Sequence, residues 1–293
     1  MINKSLFRLT AFFLHLISLL PFWALYLFAD FLYFILYYLT GYRRKVTQKN
    51  LRNAFPQKSQ QELNSIEKKY YHFLADNILE SFKMKSMSET EIRKHCTVRN
   101  PEELNKHFDK GKSVLLATGH YANWEWGNLF IPLISKEKVY VIYKPLSDKN
   151  FDDFLNKMRS KFGAVMVSMK ATLRKLAELK NEQYLFGFAG DQTPTRHESQ
   201  YFTNFLNQPT AVFLGLEKIA KTTGNPIVFI HINRLKRGYY EYIFTTLVED
   251  PKLTKEYEIT NIHTRKLEEI IEQKPELWLW SHRRWKFKPE DIK

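Results

Sequence analysis

The sequence has only one cysteine, Cys96, among its 293 residues. This excludes an intrachain disulfide and a cysteine-based zinc cluster, and it fits a reducing, cytosolic setting. Internal repeats and low-complexity tracts are also missing, so neither a solenoid nor a disordered chain is expected. The length suits one large domain or two small ones, and the 44% hydrophobic content can supply a full core.

Signatures that would assign several common functions are missing as well. The sequence contains no zinc-finger, RRM or helix-turn-helix pattern and no His-Glu-x-x-His metalloprotease pattern. Acidic residues are outnumbered, with 31 Asp and Glu against 45 Lys and Arg, which gives a net charge of +14. This charge favours an anionic partner such as an acidic lipid headgroup or an acidic protein. The basic residues form no single stripe, so we predict no nucleic-acid partner. We also predict no metal site, because there is only one cysteine and no second histidine lies close to His120 in the sequence.

Charge is absent from one long segment near the N-terminus. From Leu9 to Ala29, 21 consecutive residues include no Asp, Glu, Lys or Arg, and a membrane-spanning helix needs about 20. A cleaved signal peptide is disfavoured, because its apolar core would be about 7–15 residues long and would end at small residues. We therefore predict a membrane anchor over residues 1–41, with one transmembrane helix over about residues 7–28.

The residues around this segment predict its orientation. More basic residues follow it than precede it: Lys4 and Arg8 before, and Arg43, Arg44, Lys45, Lys49 and Arg52 after. Because the side richer in Lys and Arg is usually cytoplasmic, residues 42–293 are predicted to form a cytoplasmic domain at the inner membrane. Whether Phe31–Leu39 continues the span or lies along the interface stays open, and its aromatic residues suit an interface.

Short apolar runs alternate with amphipathic stretches along the remaining chain. Six runs are predicted to be strands, at 113–118, 139–143, 164–168, 184–189, 226–232 and 239–245. Helices are predicted at 59–82, 148–162, 171–180, 210–222 and 256–273. This alternation predicts an α/β fold with a mixed, largely parallel sheet flanked by helices. His120, Tyr143 and Asp191 each follow a predicted strand, and such strand ends collect reactive residues at one edge of the sheet.

His120 and Glu125 are the candidate catalytic residues, within the segment GHYANWE at residues 119–125. A neutral imidazole can remove the proton of an attacking hydroxyl, and a carboxylate on its other ring nitrogen fixes the tautomer. If His120 lies in a loop and Glu125 in the first turn of the next helix, the two can pair. The helix dipole would then lower the pKa of His120. On spacing alone, a histidine bonded to the backbone beside a solvated glutamate is the ordinary alternative.

Motifs along nearly the whole chain resemble those of the late (secondary) lipid A acyltransferases. Besides GHYANWE, the similar segments are YRRK (42–45), NLRNAFP (50–56), YKP (143–145) with Arg159 and Gly163, GDQ (190–192), Phe205–Pro209 and PELWLWSHRRWK (275–286). They occur in the family's order, and together they are specific. Two positions differ: Lys144 stands where Arg is usual, which loses a bidentate fork, and Ala122 stands where Gly is common.

The resemblance implies a glycerol-3-phosphate acyltransferase-like fold and transfer of a fatty acyl chain to a hydroxyl of a lipid A precursor. It implies acyl carrier protein as the usual donor, His120 as general base and Glu125 as the residue that orients it. Direct attack of the acceptor in a ternary complex is expected, because neither a serine nor Cys96 is placed beside His120 as a nucleophile. No cofactor is expected.

Other functions stay open at this point. The acceptor could be an aminolipid, a pigment or a phospholipid, and the donor could be a coenzyme A thioester. A protein without catalytic activity that binds anionic lipid at a membrane is the alternative from a different class.

The same motifs supply the predicted substrate-binding residues: Asn123, Tyr143, Lys144, Arg159, Asp191, Gln192, His282, Arg283 and Arg284. Arg159 is assigned to a phosphate of the substrate or of the carrier arm, with a solvated arginine as the alternative. Asp191 is assigned to orienting a catalytic group or the acceptor, with a turn cap as the alternative. The run from His282 to Arg284 is assigned to anionic headgroups or to an interfacial aromatic-basic patch.

Overall fold

The computed structural model describes residues 3–292, which form two N-terminal helices followed by an α/β body. The helices of the body, numbered after the two N-terminal ones, are α3 (Arg44–Ala54), α4 (Gln60–Lys83), α5 (Glu89–His95), α6 (Glu102–Phe108), α7 (Trp124–Ile134), α8 (Lys149–Arg159), α9 (Thr172–Glu178), α10 (Gly215–Thr223) and α11 (Glu258–Gln273). The strands are β1 (Cys96–Val98), β2 (Val114–Thr118), β3 (Lys138–Tyr143), β4 (Val165–Ser168), β5 (Tyr184–Ala189), β6 (Phe202–Phe205), β7 (Gln208–Ala211), β8 (Ile227–Lys236) and β9 (Tyr239–Val248).

The N-terminal segment contains two helices where one continuous helix over residues 7–28 is predicted. α1 covers Lys4–Leu19 and α2 covers Phe22–Phe34, and wider helical turns continue over Ile35–Leu39. The break falls at Pro21, whose nitrogen has no proton to donate to the preceding turn. By length and composition, the helix over Phe22–Leu39 could cross a membrane. Membrane crossing therefore stays a prediction, but it applies to different residues.

Seven strands form the central sheet in the order β1-β9-β8-β2-β5-β3-β4. All neighbours in it run parallel except β8 and β9, which form an antiparallel pair. The predicted mixed, largely parallel α/β fold is confirmed. β2 and β5 are adjacent, with Thr118 opposite Ala189 at their carboxyl ends. The residues that follow these two strands therefore emerge side by side, and they include His120 and Asp191.

A small antiparallel hairpin of β6 and β7 lies where the helix predicted from residue 210 should start. Its turn residues, Leu206 and Asn207, have φ values of 50° and 60°, which suit a two-residue hairpin turn. The Leu206 N–H donates to the buried carboxylate of Glu268, 62 residues away. Because this contact holds the turn from outside the segment, no local pattern predicts it, and α10 begins only at Gly215.

The longest helix, α4, packs against α1, α2 and α3. It starts with a capping box, in which the Ser59 N–H donates to the Glu62 carboxylate at 2.7 Å and the Glu62 N–H donates to the Ser59 hydroxyl at 3.3 Å. Its buried face includes ionisable side chains as well as apolar ones, among them Asp76, Glu80 and Lys83. These groups connect the N-terminal helices to the body.

Candidate active site

Asp191 holds His120 at the edge where β2 and β5 end. Its Oδ1 accepts a hydrogen bond from Nδ1 of His120 at 2.6 Å, and its Oδ2 accepts from the backbone N–H of His120 at 2.8 Å. Asp191 is buried, whereas 18% of the His120 side chain is exposed. Since Nδ1 donates to the carboxylate, Nε2 is the ring atom that can accept a proton.

The two partners change each other's pKa. Burial lowers the pKa of His120, but the charge and hydrogen bond of Asp191 raise it more, so the net pKa lies above the ordinary value. Burial raises the pKa of Asp191, but His120 lowers it more, and the net pKa lies well below the usual range. The predicted lowering of the His120 pKa by a helix dipole is therefore wrong. A carboxylate in direct contact outweighs the partial charge at a helix end.

Glu125 lies in the first turn of α7, as expected, but it pairs with Arg159 of α8 instead of His120. Its carboxylate accepts from Nε of Arg159 at 2.8 Å and from Nη2 at 2.6 Å. The expectation that Glu125 orients the imidazole is corrected, because the carboxylate bonded to Nδ1 belongs to Asp191. Glu125 still acts on His120 through space, since its negative charge raises the pKa of the imidazole.

Arg159 is part of this site rather than a solvated helix residue. Its side chain is 21% exposed and forms a bidentate ion pair with Glu125. Burial lowers its pKa, but the hydrogen bonds and charge of Glu125 raise it more, with smaller contributions from Asp152 and Tyr143. Arg159 therefore stays fully charged beside the imidazole.

Trp278 supplies the third hydrogen bond to Asp191, from its indole Nε1 to Oδ2 at 2.8 Å. It comes from the segment after α11, which joins the loop after β2 through a bond from the Ala122 N–H to the Leu277 carbonyl at 2.9 Å. Sequence reasoning placed Trp278 in a family motif but did not name it as a site residue. Its place in that motif was the one indication in the sequence. Its hydrogen bond to Asp191 depends on the tertiary structure, which brings the C-terminal segment next to the loop after β2.

The backbone of the loop after β2 is tightly constrained at two positions. A Cβ at Gly119 would lie 2.7 Å from a methyl carbon of Leu267 and 3.2 Å from Oδ2 of Asp191. Ala122 has φ of 51°, a left-handed conformation that costs a non-glycine residue roughly 1–2 kcal/mol. Glycine adopts this conformation without strain, which agrees with the glycine that is common at this position of the motif in the late lipid A acyltransferases.

Gln192 lies on the open side of the imidazole. Its Nε2 is 3.1 Å from Nε2 of His120, on the ring edge away from Asp191. A hydroxyl that gives its proton to His120 must approach Nε2 within about 2.6–3.2 Å. Gln192 therefore occupies the position that such a hydroxyl needs.

Asn123 was predicted to bind substrate, but both ends of its side-chain amide are used inside the protein. Its Oδ1 accepts from the Trp126 N–H at 3.0 Å, which caps α7. Its Nδ2 donates to the carboxylate of Glu80 at 2.7 Å. Because Asn123 is completely buried, the structure gives it a structural contact and no surface for a ligand.

Tyr143 and Lys144 follow β3, which neighbours β5 in the sheet. The Tyr143 hydroxyl donates to Asp152 of α8 at 3.4 Å, and Lys144 is exposed. Tyr143 therefore lies on the Arg159 side of the site, whereas Lys144 faces solvent. No hydrogen bond connects either residue to His120 within residues 3–292.

The three residues assigned to headgroup binding differ from one another. His282 accepts from the Thr193 N–H at 3.2 Å, and burial together with nearby Arg284 lowers its pKa to about 4, although Asp191 opposes the shift. It is therefore neutral at pH 7. Arg284 is 2% exposed, so it cannot reach a headgroup at the surface, and burial lowers its pKa to about 10. Only Arg283 is exposed.

One cluster has the composition of a metal site, but cationic side chains already occupy it. Asp30, His72 and Asp76 offer ligand atoms within 4.8 Å of one another. The guanidinium of Arg237 donates to Asp30 at 2.6 Å and to Asp76 at 2.5 Å. Arg234 also donates to Asp76, at 2.6 Å. We assign no metal there.

A histidine held by a buried carboxylate at the carboxyl edge of a mixed α/β sheet is an arrangement that suits general-base catalysis. The sequence model of the family described as "Bacterial lipid A biosynthesis acyltransferase" matches residues 1–287. The chain therefore belongs to this family, and it is an acyltransferase of lipid A biosynthesis.

Individual relatives agree with this assignment at low identity. The chain is 22% identical to the "Lipid A biosynthesis palmitoleoyltransferase" of Escherichia coli (strain K12), over 84% of this chain and 80% of that protein. It is 21% identical to the "Lipid A biosynthesis lauroyltransferase" of the same organism, over 85% of this chain and 81% of that protein. A "Lipid A biosynthesis acyltransferase" of Shigella flexneri is 22% identical over the same shares as the first.

Proposed function

We propose that this acyltransferase is bound to the inner membrane and transfers a fatty acyl chain from acyl carrier protein to a hydroxyl of a lipid A precursor. The observation that carries the mechanism is the hydrogen bond of 2.6 Å between Nδ1 of His120 and Oδ1 of Asp191. It leaves Nε2 as a base at the accessible side of the site.

The proposed reaction is a direct transfer in one ternary complex. Nε2 of His120 takes the proton of the acceptor hydroxyl while its oxygen bonds to the thioester carbonyl carbon. The tetrahedral intermediate then breaks its carbon–sulfur bond, and the leaving thiolate takes the proton back from the imidazolium. Asp191 keeps the imidazole in the required tautomer and stabilises the positive charge that forms on it. Gln192 has to move away from Nε2 before the hydroxyl can bind.

Glu125 and Arg159 have a different proposed role from His120. The ion pair fixes the Arg159 guanidinium beside the site, where its positive charge can stabilise the oxyanion of the tetrahedral intermediate or bind a phosphate of a substrate. The pair also adjusts the base, because Glu125 raises and Arg159 lowers the pKa of His120. We therefore expect Glu125 to be required for activity although it does not touch the imidazole.

Two features support the donor and the location. The net charge of +14 suits an acidic carrier protein and an anionic lipid. The N-terminal helices expose large apolar side chains, including Phe12, Trp23 and Phe31, as expected of a protein in contact with lipid. The single cysteine fits a body on the cytoplasmic side.

The test is mass spectrometry of the products of a purified reaction. The protein is mixed with a tetra-acylated lipid A precursor and a set of acyl carrier proteins that carry different chains, with acyl-coenzyme A in parallel. The variants are His120→Ala and Glu125→Ala. Their matched controls are His197→Ala and Glu272→Ala, which change exposed residues of the same types.

We expect a mass gain of one acyl chain that is lost in both variants and kept in both controls. Acylation from acyl-coenzyme A alone would overturn the proposed donor. Acylation of a crude membrane lipid extract, but not of the lipid A precursor, would overturn the proposed acceptor and favour an aminolipid, a pigment or a phospholipid. If neither is acylated, the catalytic proposal fails and a lipid-binding role takes its place.

A further inference from the structure

The outer faces of α1 and α2 are mainly apolar, with Arg8 as an exposed basic residue near the start of α1. Most of the exposed large apolar side chains of residues 3–292 lie in this segment: Leu6, Leu9, Phe12, Phe13, Leu16 and Leu19 on α1, and Trp23, Leu27, Phe28, Phe31, Phe34, Tyr38 and Leu39 on α2 and its continuation. Their spacing of three and four residues places them on one side of each helix. Each helix therefore has one unpartnered apolar face, and its other face packs on the body.

The inner face of α2 and of its continuation over Ile35–Leu39 is in contact with α4. The contacting residues run in opposite directions along the two helices: Phe22 with Lys83, Tyr26 with Glu80, Asp30 with His72, and Tyr37 with Tyr71. Leu25 and Ala29 between them are completely buried. α2 therefore lies antiparallel to α4 and nowhere leaves it.

Polar contacts make this attachment specific. Arg237, in the turn between β8 and β9, donates to Asp30 at 2.6 Å and to Asp76 at 2.5 Å. The Tyr26 hydroxyl donates to Glu80 at 2.8 Å. An added Cβ at Gly238 would lie 2.1 Å from the Tyr26 oxygen, so the turn and the helix are in close contact.

α1 is attached to the body in the same way. The Lys83 ammonium donates to the carbonyl oxygens of Ser18 at 3.0 Å and Leu20 at 2.9 Å. Near the other end of α1, the Phe7 ring meets the edge of Phe151 of α8, with 5.1 Å between ring centroids. Both ends of α1 are thus held against helices of the body.

These contacts are incompatible with a spanning helix. If α2 crossed the hydrocarbon, either α4 with its buried Asp76, Glu80 and Lys83 would have to enter with it, or α2 would have to detach. Detachment would break the ion pair between Asp30 and Arg237 and leave the Asp30 carboxylate in lipid. Insertion of an Asp at the centre of a spanning helix costs roughly 2.5–3.5 kcal/mol. Lying on the body, α2 keeps Asp30 paired with Arg237, and its most exposed side chains are apolar, although the Asp30 side chain is 46% exposed.

We infer that α1 and α2 do not cross the membrane but lie in its plane, each packed on the body, with their outer faces inserted into one leaflet of an anionic bilayer. Insertion of such a face reaches about 5–10 Å. The inference deepens the proposed membrane attachment and holds whichever lipid is the acyl acceptor.

The charge of the next helix indicates an anionic surface. Lys45, Lys49 and Arg52 recur at spacings of four and three residues on α3 and are exposed. Within the part of the chain that the structure describes, none of them forms an ion pair with an acidic side chain. Each such cation near an anionic membrane strengthens binding several-fold, and α3 begins five residues after Leu39.

The first experiment measures the depth of single spin labels in vesicles of phosphatidylethanolamine and phosphatidylglycerol. The background is Cys96→Ala, and single cysteines replace Leu9, Leu16, Leu27, Phe31 or Tyr38 for nitroxide labelling. The control positions are Leu173 and Leu253, which are apolar and even more exposed but lie elsewhere on the body. We expect all five N-terminal labels at one similar, shallow depth and both control labels in water.

Two results would overturn the inference. The first is a depth profile along α2 in which the labels at Leu27 and Phe31 are deepest and the two ends of the helix lie in opposite leaflets. This profile would show that α2 crosses the membrane. Strong spin–spin broadening without contact to lipid would show that a second copy of the chain covers the face. Acyl transfer by the same labelled preparations is measured in parallel, so failure of the inference is distinguishable from failure of the proposed activity.

A second experiment tests the choice of an anionic surface. The triple change of Lys45, Lys49 and Arg52 to Gln should lower partitioning into anionic vesicles by on the order of 100-fold and change partitioning into zwitterionic vesicles less than about threefold. Equal binding of the unchanged protein and the variant to both kinds of vesicle would overturn the charge part of the inference.

Discussion

Asp191 and Glu80 are both buried carboxylates, and each accepts three hydrogen bonds, but their pKa values change in opposite directions. Two of the bonds to Asp191 come from His120 and one from Trp278, and its pKa lies well below the usual range. The bonds to Glu80 come from Tyr26, Asn123 and Tyr240 at 2.7–2.8 Å, and burial raises its pKa to about 7.

The difference shows that the charge of the partner decides the pKa of a buried carboxylate. His120 can carry a positive charge and therefore favours the ionised form of Asp191. The three donors to Glu80 are neutral, and the nearby charges of Asp76 and Arg234 act in opposite directions. Burial therefore dominates at Glu80. In the proposed mechanism the first carboxylate keeps its charge to orient His120, whereas the second joins α2, α4 and the Asn123 cap as a structural centre.

The largest expected effect comes from removing the charge of Asp191, which the proposed mechanism requires. Asp191→Asn keeps the size of the side chain but loses the charge that orients the imidazole, so kcat should fall by about 10³–10⁴-fold with little change in KM. Steady-state mass spectrometry measures both constants. Glu80→Gln is the matched control at the other carboxylate and should change kcat less than about tenfold. Equal losses in the two variants would contradict the distinction between the sites.

The second prediction concerns stability against pH. The folded chain keeps a proton on Glu80 up to about pH 7, whereas an unfolded chain releases it near pH 4.5. Folding therefore takes up a proton between these values, and Glu80 contributes a fall of about 2–3 kcal/mol in the free energy of unfolding from pH 5 to pH 8. His231 and His282, whose pKa is lowered to about 4, contribute a rise over the same range, so the Glu80 part is the difference between the unchanged protein and Glu80→Gln. Urea unfolding at each pH measures this.

Glu80→Gln serves as the control for that slope, because it removes the titrating group. Without the downward contribution of Glu80, the unfolding free energy of the variant should rise more steeply from pH 5 to pH 7 than that of the unchanged protein. His120 adds a separate loss at higher pH, since its raised pKa gives stability that is present below about 6.5 and disappears as the imidazole deprotonates. A slope that is unchanged in Glu80→Gln would contradict the raised pKa of Glu80.

A matched pair of hydrogen-bond deletions sharpens the comparison. Trp278→Phe removes one donor to Asp191, and Tyr26→Phe removes one donor to Glu80. Each should cost about 1–3 kcal/mol of unfolding free energy, because a buried carboxylate loses a partner. Only Trp278→Phe should also lower kcat, by roughly tenfold, and it should move the acidic limb of the pH–rate profile. Similar kinetic losses in both variants would show that the two carboxylates act as one unit.

The smallest expected effect is at Ala122. Ala122→Gly removes the strain of φ at 51°, which is worth about 1–2 kcal/mol. It also removes a buried methyl group, worth about 0.8 kcal/mol, and adds freedom to the unfolded chain. The unfolding free energy should therefore change by less than about 1 kcal/mol, and kcat should stay unchanged. Thermal unfolding and the acyl-transfer assay measure the two.

Local patterns predicted most of the long or strongly periodic elements, but not the eleven-residue helix α3. The six predicted strands are present, and the ends of β2 and β5 correctly placed His120 and Asp191 at one edge of the sheet. β1, α5 and α6 have three to seven residues, too few for a period to show. The hairpin at Phe202–Ala211 depends on Glu268 of a distant helix, so its own residues do not define it.

What the sequence determined by itself was the class of chemistry, the family and the alternation of strands and helices, because these depend on residue types and on spacing along one segment. The tertiary structure decided which carboxylate meets His120. Asp191 reaches Nδ1 because β5 lies beside β2, while Arg159 on α8 takes Glu125, although Glu125 is 66 residues closer to His120 along the chain. The tertiary structure also decided that the apolar N-terminal segment packs along α4. Such pairings join residues that are far apart in sequence, and only the packing of whole elements brings them together.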